Sequence, residues 1–284
     1  MRQLRKSMFS GSWYPSQPSE CKKMIDSFLK EYPYKKSEDK NYKGGIVPHA
    51  GWVFSGSIAC NVIHRLSQGD KPDVIVVFGM HLGEGSPAYM MADGAWETPF
   101  GELPVHTELA NALTQHFHFQ LETPLRFKQD NTIELQLPFI KYFYNDIQVL
   151  TMGIPPTVTS LEIGKSIVKL SKQLGLSIQV IGSTDLTHYG LNYGFTPAGS
   201  GKKALEWVKQ ENDRHIIDAM LSMDPQLVLE QAKQRNNACC AGAAATAIAA
   251  GNALNVNMPE LVAYGTSYDK QPADSYVGYA GIIF

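Results

Sequence analysis

"GGIVPHAGWVFSGSIACNVIHRLSQGDKPDVIVVFG", residues 44–79, contains the pattern of a strand, a helix and a second strand. A short apolar run ends at Pro48. Residues 73–79 form a continuous β-branched run that is typical of a strand buried on both faces. Between them, one face of a predicted helix over residues 55–66 carries Ile58, Val62, Ile63 and Leu66. The stretch therefore predicts a βαβ unit.

The same alternation continues toward the C-terminus. Strands are predicted over residues 146–154 and 177–185, with a helix over 160–174 between them. Two polar helices follow near 201–220 and 225–234, then a close-packed helix in the alanine-rich residues 240–254, and strand-like runs at 260–268 and 275–284. We predict an α/β protein with one domain over residues 1–284, whose central sheet is mostly parallel or mixed and carries helices on both faces.

Composition excludes several classes of protein. The chain has 284 residues, 44% of them hydrophobic, and its 25 Lys plus Arg against 27 Asp plus Glu give a formal net charge of -2. We therefore expect neither nucleic acid nor an anionic membrane as a partner. The four cysteines show no disulfide framework, and neither a secretory signal nor a membrane-spanning run is visible. We expect a cytoplasmic protein, with a homo-oligomer as an open alternative.

Polar side chains follow three of the predicted strands. His49 comes directly after the strand "GIV", His81 follows residues 73–79, and Asp185 and His188 follow residues 177–182. In open α/β sheets the crevice outside the carboxyl ends of the strands is where ligands bind. We therefore expect these side chains to meet in one crevice.

Cys239 immediately precedes the alanine-rich helix, where the helix dipole favours a thiolate. Two imidazoles and one thiolate suit a transition metal and leave coordination positions open. The alternative is that Cys239 and Cys240 are small packed core residues.

Two further segments leave alternatives open. In "NTIELQLPFI", residues 131–140, Asn131 and Thr132 could cap a helix with Glu134 in its first turn, or Glu134 could orient a ligand histidine. In "GSWYP", residues 11–15, the aromatic rings of Trp13 and Tyr14 either pack under the sheet or line the crevice mouth, as Trp52 could. The sequence contains no GxSxG elbow and no Walker A loop.

Taken in order, several motifs resemble the Memo family, the AmmeMemoRadiSam system protein B group. They are "GSWYP", "PHAGW.FSG.IA", the glycine and histidine after the second strand, "WETPFGELPV", "IELQLPF", "STDLTHYG", the cysteine before a late helix and the terminal "VGYAGI". The resemblance runs from about residue 9 to the C-terminus. It implies a fold similar to that of the class III extradiol ring-cleavage dioxygenases, which bind non-haem Fe(II) through two histidines and a carboxylate.

In the Memo family a cysteine takes the carboxylate's place. The resemblance thus implies the ligands His49, His81 and Cys239, with Asp185 and His188 beside the metal. Iron(II) is the expected ion, and zinc and copper are the alternatives.

The chain departs from the family pattern at three places. Leu82 stands where a second histidine is common, Asn131 stands where many members have a histidine, and the family's "CG.GP" appears as "CCAGA" with Cys240 and Ala243. These changes remove groups that would move protons but keep the three expected ligands.

Two functions follow as hypotheses. The first is a metal-binding protein with dioxygenase-like or other redox activity on a small molecule, in which His188 acts as acid or base and Asp185 sets its tautomer. The second is a non-catalytic protein that keeps the dioxygenase fold and binds a peptide or another partner. A metal-dependent hydrolase is less favoured, because cysteine ligation and the lack of a clear carboxylate pair suit it poorly.

Overall fold

The computed structural model describes residues 3–34, 41–256 and 258–284. Its strands are β1 (Leu4–Arg5), β2 (Gly44–Val47), β3 (Val74–Gly79), β4 (Ala88–Met91), β5 (Ala95–Thr98), β6 (Gly101–Pro104), β7 (Phe119–Glu122), β8 (Gln148–Gly153), β9 (Ile178–Ser183), β10 (His188–Tyr189), β11 (Glu260–Thr266) and β12 (Tyr276–Ile283). Its α-helices are α1 (Pro18–Glu31), α2 (Ser57–Ser67), α3 (Thr107–Thr114), α4 (Asn131–Glu134), α5 (Leu137–Tyr144), α6 (Val158–Gln173), α7 (Lys202–Trp207), α8 (Asp213–Leu221), α9 (Pro225–Arg235), α10 (Ala241–Ala253) and α11 (Ser267–Lys270). Two π-helical turns, Trp52–Gly56 and Val208–Asn212, and one 3-10 turn, Leu191–Tyr193, complete the described elements.

The main sheet is mixed, as the sequence predicts. Among the described residues its strand order is β10-β12-β2-β9-β3-β8-β4-β7, and β11 also pairs with β12. The central strands β2, β9, β3 and β8 run parallel, whereas β12 and β4 run antiparallel to their inner neighbours. Val47 pairs with Ser183, and Gly182 pairs with Phe78, so the carboxyl ends of β2, β9 and β3 lie side by side.

Helices cover both faces of this sheet, which confirms the predicted α/β class. A Cβ atom on Gly45 would lie 2.7 Å from Val62 of α2, while one on Gly182 would lie within 3.0 Å of α10 on the other face. The alanine-rich segment forms α10 and is almost entirely buried between β9 and α6. Small side chains thus allow the close helix packing expected from composition.

Three predicted elements differ in detail from those observed. The helix expected from residue 55 is preceded by a π-helical turn that begins at Trp52. The helix expected near 201–220 is interrupted by the second π-helical turn. The strand expected to reach residue 268 ends at Thr266, because the Thr266 and Asp269 side chains form a capping box that starts α11. Of these features, π-helical turns are frequent at functional sites.

Within the described part of the chain, no helix combines the length and apolar character needed to cross a membrane.

Candidate metal centre and cavity

His49, His81 and Cys239 meet at the carboxyl edge of the central strands. The two imidazole centroids are 5.0 Å apart, and the Cys239 sulfur lies 3.2 Å from His49 Nε2. Together with Cys240, each of these residues offers one donor atom, and all four atoms lie within 4.8 Å of one another. The expected convergence of the three strand-end and helix-start residues is therefore observed. We call these four residues the donor cluster.

His49 is buried and held in one orientation. Its backbone N–H donates to Asp185 Oδ1 at 2.7 Å, and its Nδ1 lies 3.0 Å from Ser183 Oγ. The Ser183 hydroxyl donates to the Thr132 carbonyl at 2.7 Å, so its oxygen accepts a hydrogen bond from His49 Nδ1–H. Nε2 is left facing the cluster. Burial lowers the pKa of His49, but the charges of Asp185 and Cys239 outweigh it and raise the pKa overall.

His81 follows a strained residue at the end of β3. Met80 has φ of 70° although it is not glycine, and its backbone N–H donates to Thr132 Oγ1 at 2.7 Å. Such backbone strain is characteristic of functional sites. His81 Nδ1 lies 3.6 Å from Asp130 Oδ2, and its side chain is 46% exposed. Burial lowers the pKa of His81, but contacts with Asp130 and Cys239 raise it to about 10.

Cys239 lies two residues before α10 and is tied to the end of β9. Its N–H donates to the Asp185 carbonyl at 3.2 Å, and the N–H of Cys240 donates to Thr184 Oγ1 at 3.0 Å. Burial would raise the pKa of the Cys239 thiol, but Cys240, His49 and His81 lower it well below its ordinary value. These neighbours therefore favour the thiolate form of Cys239, and the thiolate is the form that binds metals.

A cavity of about 590 Å³ opens beside the donor cluster. Its lining contains no Lys or Arg from the described residues. The residues that line it are Ser12, Trp13, His49, Ala50, Gly51, Val53, Phe54, His81, Asn131, Asp185, His188, Tyr193, Ser267, Gln271, Ala273, Ser275, Val277 and Tyr279. Because the wall offers no Lys or Arg to pair with a phosphate, it suits an organic molecule better than a phosphate.

Asp185 and His188 line the same cavity, but they do not form the pair that the sequence suggested. Asp185 accepts from His49 N–H, and His188 Nδ1 lies 3.1 Å from the Leu186 carbonyl. Because a carbonyl only accepts, this contact places the proton on Nδ1 and leaves Nε2 as an acceptor. The expectation that Asp185 sets the His188 tautomer is therefore wrong. Burial raises the pKa of Asp185, against the opposing charge of His49.

Of the three aromatic residues considered for the mouth, only Trp13 lines the cavity, where it is 41% exposed. Tyr14 and Trp52 are buried instead. Trp52 stacks on Phe139 at 4.0 Å and donates to the Leu135 carbonyl, while the Tyr14 hydroxyl donates to Glu134. Their polar tips thus find partners inside the core, which is why their rings need no contact with water.

A helix begins at Asn131 with Glu134 in its first turn, as predicted, but its cap and the contacts of Glu134 differ from the expected ones. The cap of α4 is Asp130, which accepts from Thr132 N–H at 2.9 Å. Asn131 donates to the His49 carbonyl at 2.9 Å and so supports a ligand segment. Glu134 neither caps nor orients a histidine, because its oxygens accept from the N–H groups of Met8 and Phe9. Glu134 therefore anchors the N-terminal segment.

Sequence reasoning missed three groups that shape the site: Asp130, Ser183 and the side chain of Cys240. Asp130 had a local signal, because aspartate directly before a predicted helix start is a favoured cap. Ser183 had only its position at the end of a predicted strand. The sequence also allowed Cys240 to be a packed core residue, and no local signal indicated that its sulfur approaches the other donors.

Comparisons with known proteins identify the family and agree with the fold. The sequence model of the Memo-like protein family matches residues 5–283. The chain is 31% identical to a MEMO1 family protein of Pyrococcus furiosus, covering 99% of this chain and 98% of that one. It is 32% identical to a MEMO1 family protein of Methanococcoides burtonii, covering 99% of each. Among solved structures, an uncharacterized protein of Escherichia coli K12 shares the fold with a TM-score of 0.54 at 12% identity, over 85% of this chain and 98% of that one. The chain belongs to the Memo-like protein family.

Proposed function

We propose that this protein binds a redox-active transition metal through His49, His81 and Cys239 and performs dioxygenase-like oxidation of a small organic molecule. The observation that carries the proposal is the placement of two imidazoles and one thiolate within 4.8 Å of one another beside a cavity of about 590 Å³. Iron(II) is the ion we propose, and copper and zinc also accept this donor set.

The donors fit such an ion in chemistry as well as in position. His49 carries its proton on Nδ1, toward Ser183, so that Nε2 is free for coordination. Asp130 lies against His81 Nδ1 in the same way, and carboxylate–histidine pairs of this kind fix and strengthen metal ligands. When bound, iron(II) would supply a centre that exchanges electrons with dioxygen and with the organic molecule.

His188 is the residue we propose for proton transfer. It lines the cavity, and its Nδ1–H is held by the Leu186 carbonyl. Nε2 is therefore available to accept a proton from a hydroxyl group of a molecule in the cavity, and to return it later. The Tyr193 ring packs edge-on against His188 at 5.0 Å and restricts its rotation.

A second candidate is a non-catalytic protein that binds a peptide or another partner at the cavity mouth. It is favoured by the apolar rim, where Trp13 is 41% exposed and Val53 is 67% exposed. Leu82 and Asn131 add no proton-transfer group, since Leu82 is buried in the core and Asn131 supports the His49 carbonyl. Under this hypothesis the cluster would hold a metal only for structure, or none.

Metal analysis of protein purified without oxygen and reconstituted with Fe(II) tests the first proposal. The parent should hold one iron per chain and give the electron paramagnetic resonance signal of an iron–nitric oxide complex. The His81→Ala variant should hold none, while His118→Ala, which changes an exposed histidine outside the cavity, should match the parent.

Turnover separates the two candidate functions. Oxygen uptake with uncharged catechol-like diols, abolished in His81→Ala, supports oxidation. Iron-free parent protein would overturn the metal proposal, and a loaded parent that consumes no oxygen with any such diol would favour the binding protein.

A further inference from the structure

Cys240 supplies a second thiol to the donor cluster. Its side chain is only 3% exposed, and its sulfur lies 3.7 Å from the Cys239 sulfur. Its donor atom belongs to the same group within 4.8 Å as those of His49 and His81. Because this buried thiol lies among three other donor atoms, its sulfur is placed to bind an ion as well as to fill space in the core.

Two of the donor spacings are close to the edges of a coordination tetrahedron. With metal–sulfur bonds of about 2.3 Å and metal–nitrogen bonds of about 2.0 Å, a tetrahedral site separates two sulfurs by about 3.8 Å and a sulfur from a nitrogen by about 3.5 Å. The two sulfurs here are 3.7 Å apart, and Cys239 Sγ is 3.2 Å from His49 Nε2. Small side-chain shifts suffice to bring both sulfurs to one ion.

The backbone holds both cysteines in this arrangement. Cys239 N–H donates to the Asp185 carbonyl, and Cys240 N–H donates to Thr184 Oγ1. The first turn of α10 is pressed against the segment after β8, since a Cβ on Gly242 would lie 2.5 Å from the Ile154 carbonyl oxygen. These hydrogen bonds and this close packing hold the two adjacent thiols near one point.

We propose that Cys240 is a fourth metal ligand, so that this chain binds its ion through two imidazoles and two thiolates. The inference rests on the proposed metal function and adds a residue to that site. Two thiolates favour a thiophilic ion, such as zinc or copper(I), more strongly than one thiolate does. An ion that accepts only four ligands would be closed to the cavity, whereas an ion that expands to five or more would still accept an organic molecule.

Cobalt(II) is the probe for this proposal, because thiolate ligands give it a charge-transfer absorption that grows with their number. The parent, loaded with Co(II) without oxygen, should show the absorption of two thiolates and the visible bands of a four-coordinate ion. Cys240→Ala and the size-matched Cys240→Ser should each lose about half of the charge-transfer intensity and bind Co(II) more than about 10-fold more weakly, the loss that even an outer-shell partner causes. Cys60→Ala, a buried cysteine of α2 outside the cluster, should keep the parent spectrum.

Thiol protection gives a second readout that needs no variant. In mild urea that opens the buried thiols to an alkylating reagent, Co(II) should slow the alkylation of both Cys239 and Cys240 but not that of the buried Cys60, as mapped by mass spectrometry after digestion. A one-thiolate spectrum with Cys240 still alkylated would overturn the fourth ligand and leave the proposed metal function intact. A parent that binds neither Co(II) nor Fe(II) would overturn both.

Discussion

The donor cluster and the segment around His188 border the same cavity but are held in different ways. The cluster depends on side chains with charge or a hydroxyl: Asp130 beside His81, and Ser183 beside His49. His188 is oriented by a backbone carbonyl. The backbone N–H of its neighbour Thr187 donates to the buried carboxylate of Asp213. We infer that one region is arranged to hold a cation and that the other is arranged to position an imidazole that stays uncoordinated.

The largest expected difference is in metal content. His49→Ala should bind no stoichiometric metal, because it removes a buried ligand. His188→Ala should keep one ion per chain but oxidise a substrate about 10²–10⁴-fold more slowly, the usual contribution of a positioned acid or base. Metal analysis and oxygen uptake on both variants measure the two effects. If His188→Ala also lost the metal, the division between the regions would fail.

The second difference concerns the supporting carboxylates. Asp130→Asn should weaken metal binding by about 10- to 100-fold, because it removes the charge beside His81. Asp213→Asn should leave metal affinity unchanged. Competition titration with a chromophoric chelator measures both, and Asp146→Asn serves as an exposed control. Equal losses of metal affinity in Asp130→Asn and Asp213→Asn would show that the two carboxylates do not support separate regions.

The third prediction uses pH to isolate the His188 segment. Burial raises the pKa of Asp213 from 3.8 to about 6, although Thr187 and Tyr264 donate hydrogen bonds to it. Between these values the folded state holds a proton that the unfolded state has released. The stabilising contribution of this carboxyl is therefore fully present below pH 3.8 and is lost as the pH rises through 6.

The lost stability amounts to about 3 kcal/mol, at 1.36 kcal/mol per pKa unit. Asp213→Asn should remove this loss, so that the variant gains stability relative to the parent between pH 4 and 7. Urea unfolding at several pH values measures the free energy of unfolding of both proteins. Subtracting one from the other cancels the titration of the groups that they share. A constant difference between parent and variant would contradict the prediction.

The smallest effect is expected at the rim. Trp13→Ala should lower the free energy of unfolding by about 1 kcal/mol or less, because the ring is partly exposed and packs mainly against Phe9. It should change neither metal affinity nor the pH dependence that Asp213 causes. Trp52→Ala, by contrast, should cost about 3–5 kcal/mol, since that ring is buried against Phe139. Comparable losses in the two tryptophan variants would contradict the distinction between rim and core.

Local patterns predicted the residues of the site better than their contacts. Strand ends identified His49, His81, Asp185 and His188, because a continuous apolar run followed by a polar residue is visible in a single stretch of chain. The sequence did not indicate which residue each of these side chains contacts. Glu134 contacts residues more than 120 positions away, and no local signal indicates that Met8 and Phe9 would reach it.

The two tryptophans illustrate the same limit. Trp13 and Trp52 each follow a small residue near a glycine, and composition gives no reason to place one at the rim and the other in the core. The difference arises because α2 and α5 pack together and enclose Trp52, whereas the turn that contains Trp13 lies over the cavity.

By itself, the sequence determined the alternation of strands and helices, the polar residues at the ends of three strands and the thiol before α10, because hydrophobic period and residue order are local properties. Tertiary structure alone decided that β9 lies between β2 and β3, since strand order depends on long-range packing. That order brings Ser183 to His49 and draws Cys239 and Cys240 to the histidines. Ser183 and His49 are 134 positions apart and Cys239 and His49 are 190 positions apart, so only folding could bring these partners together.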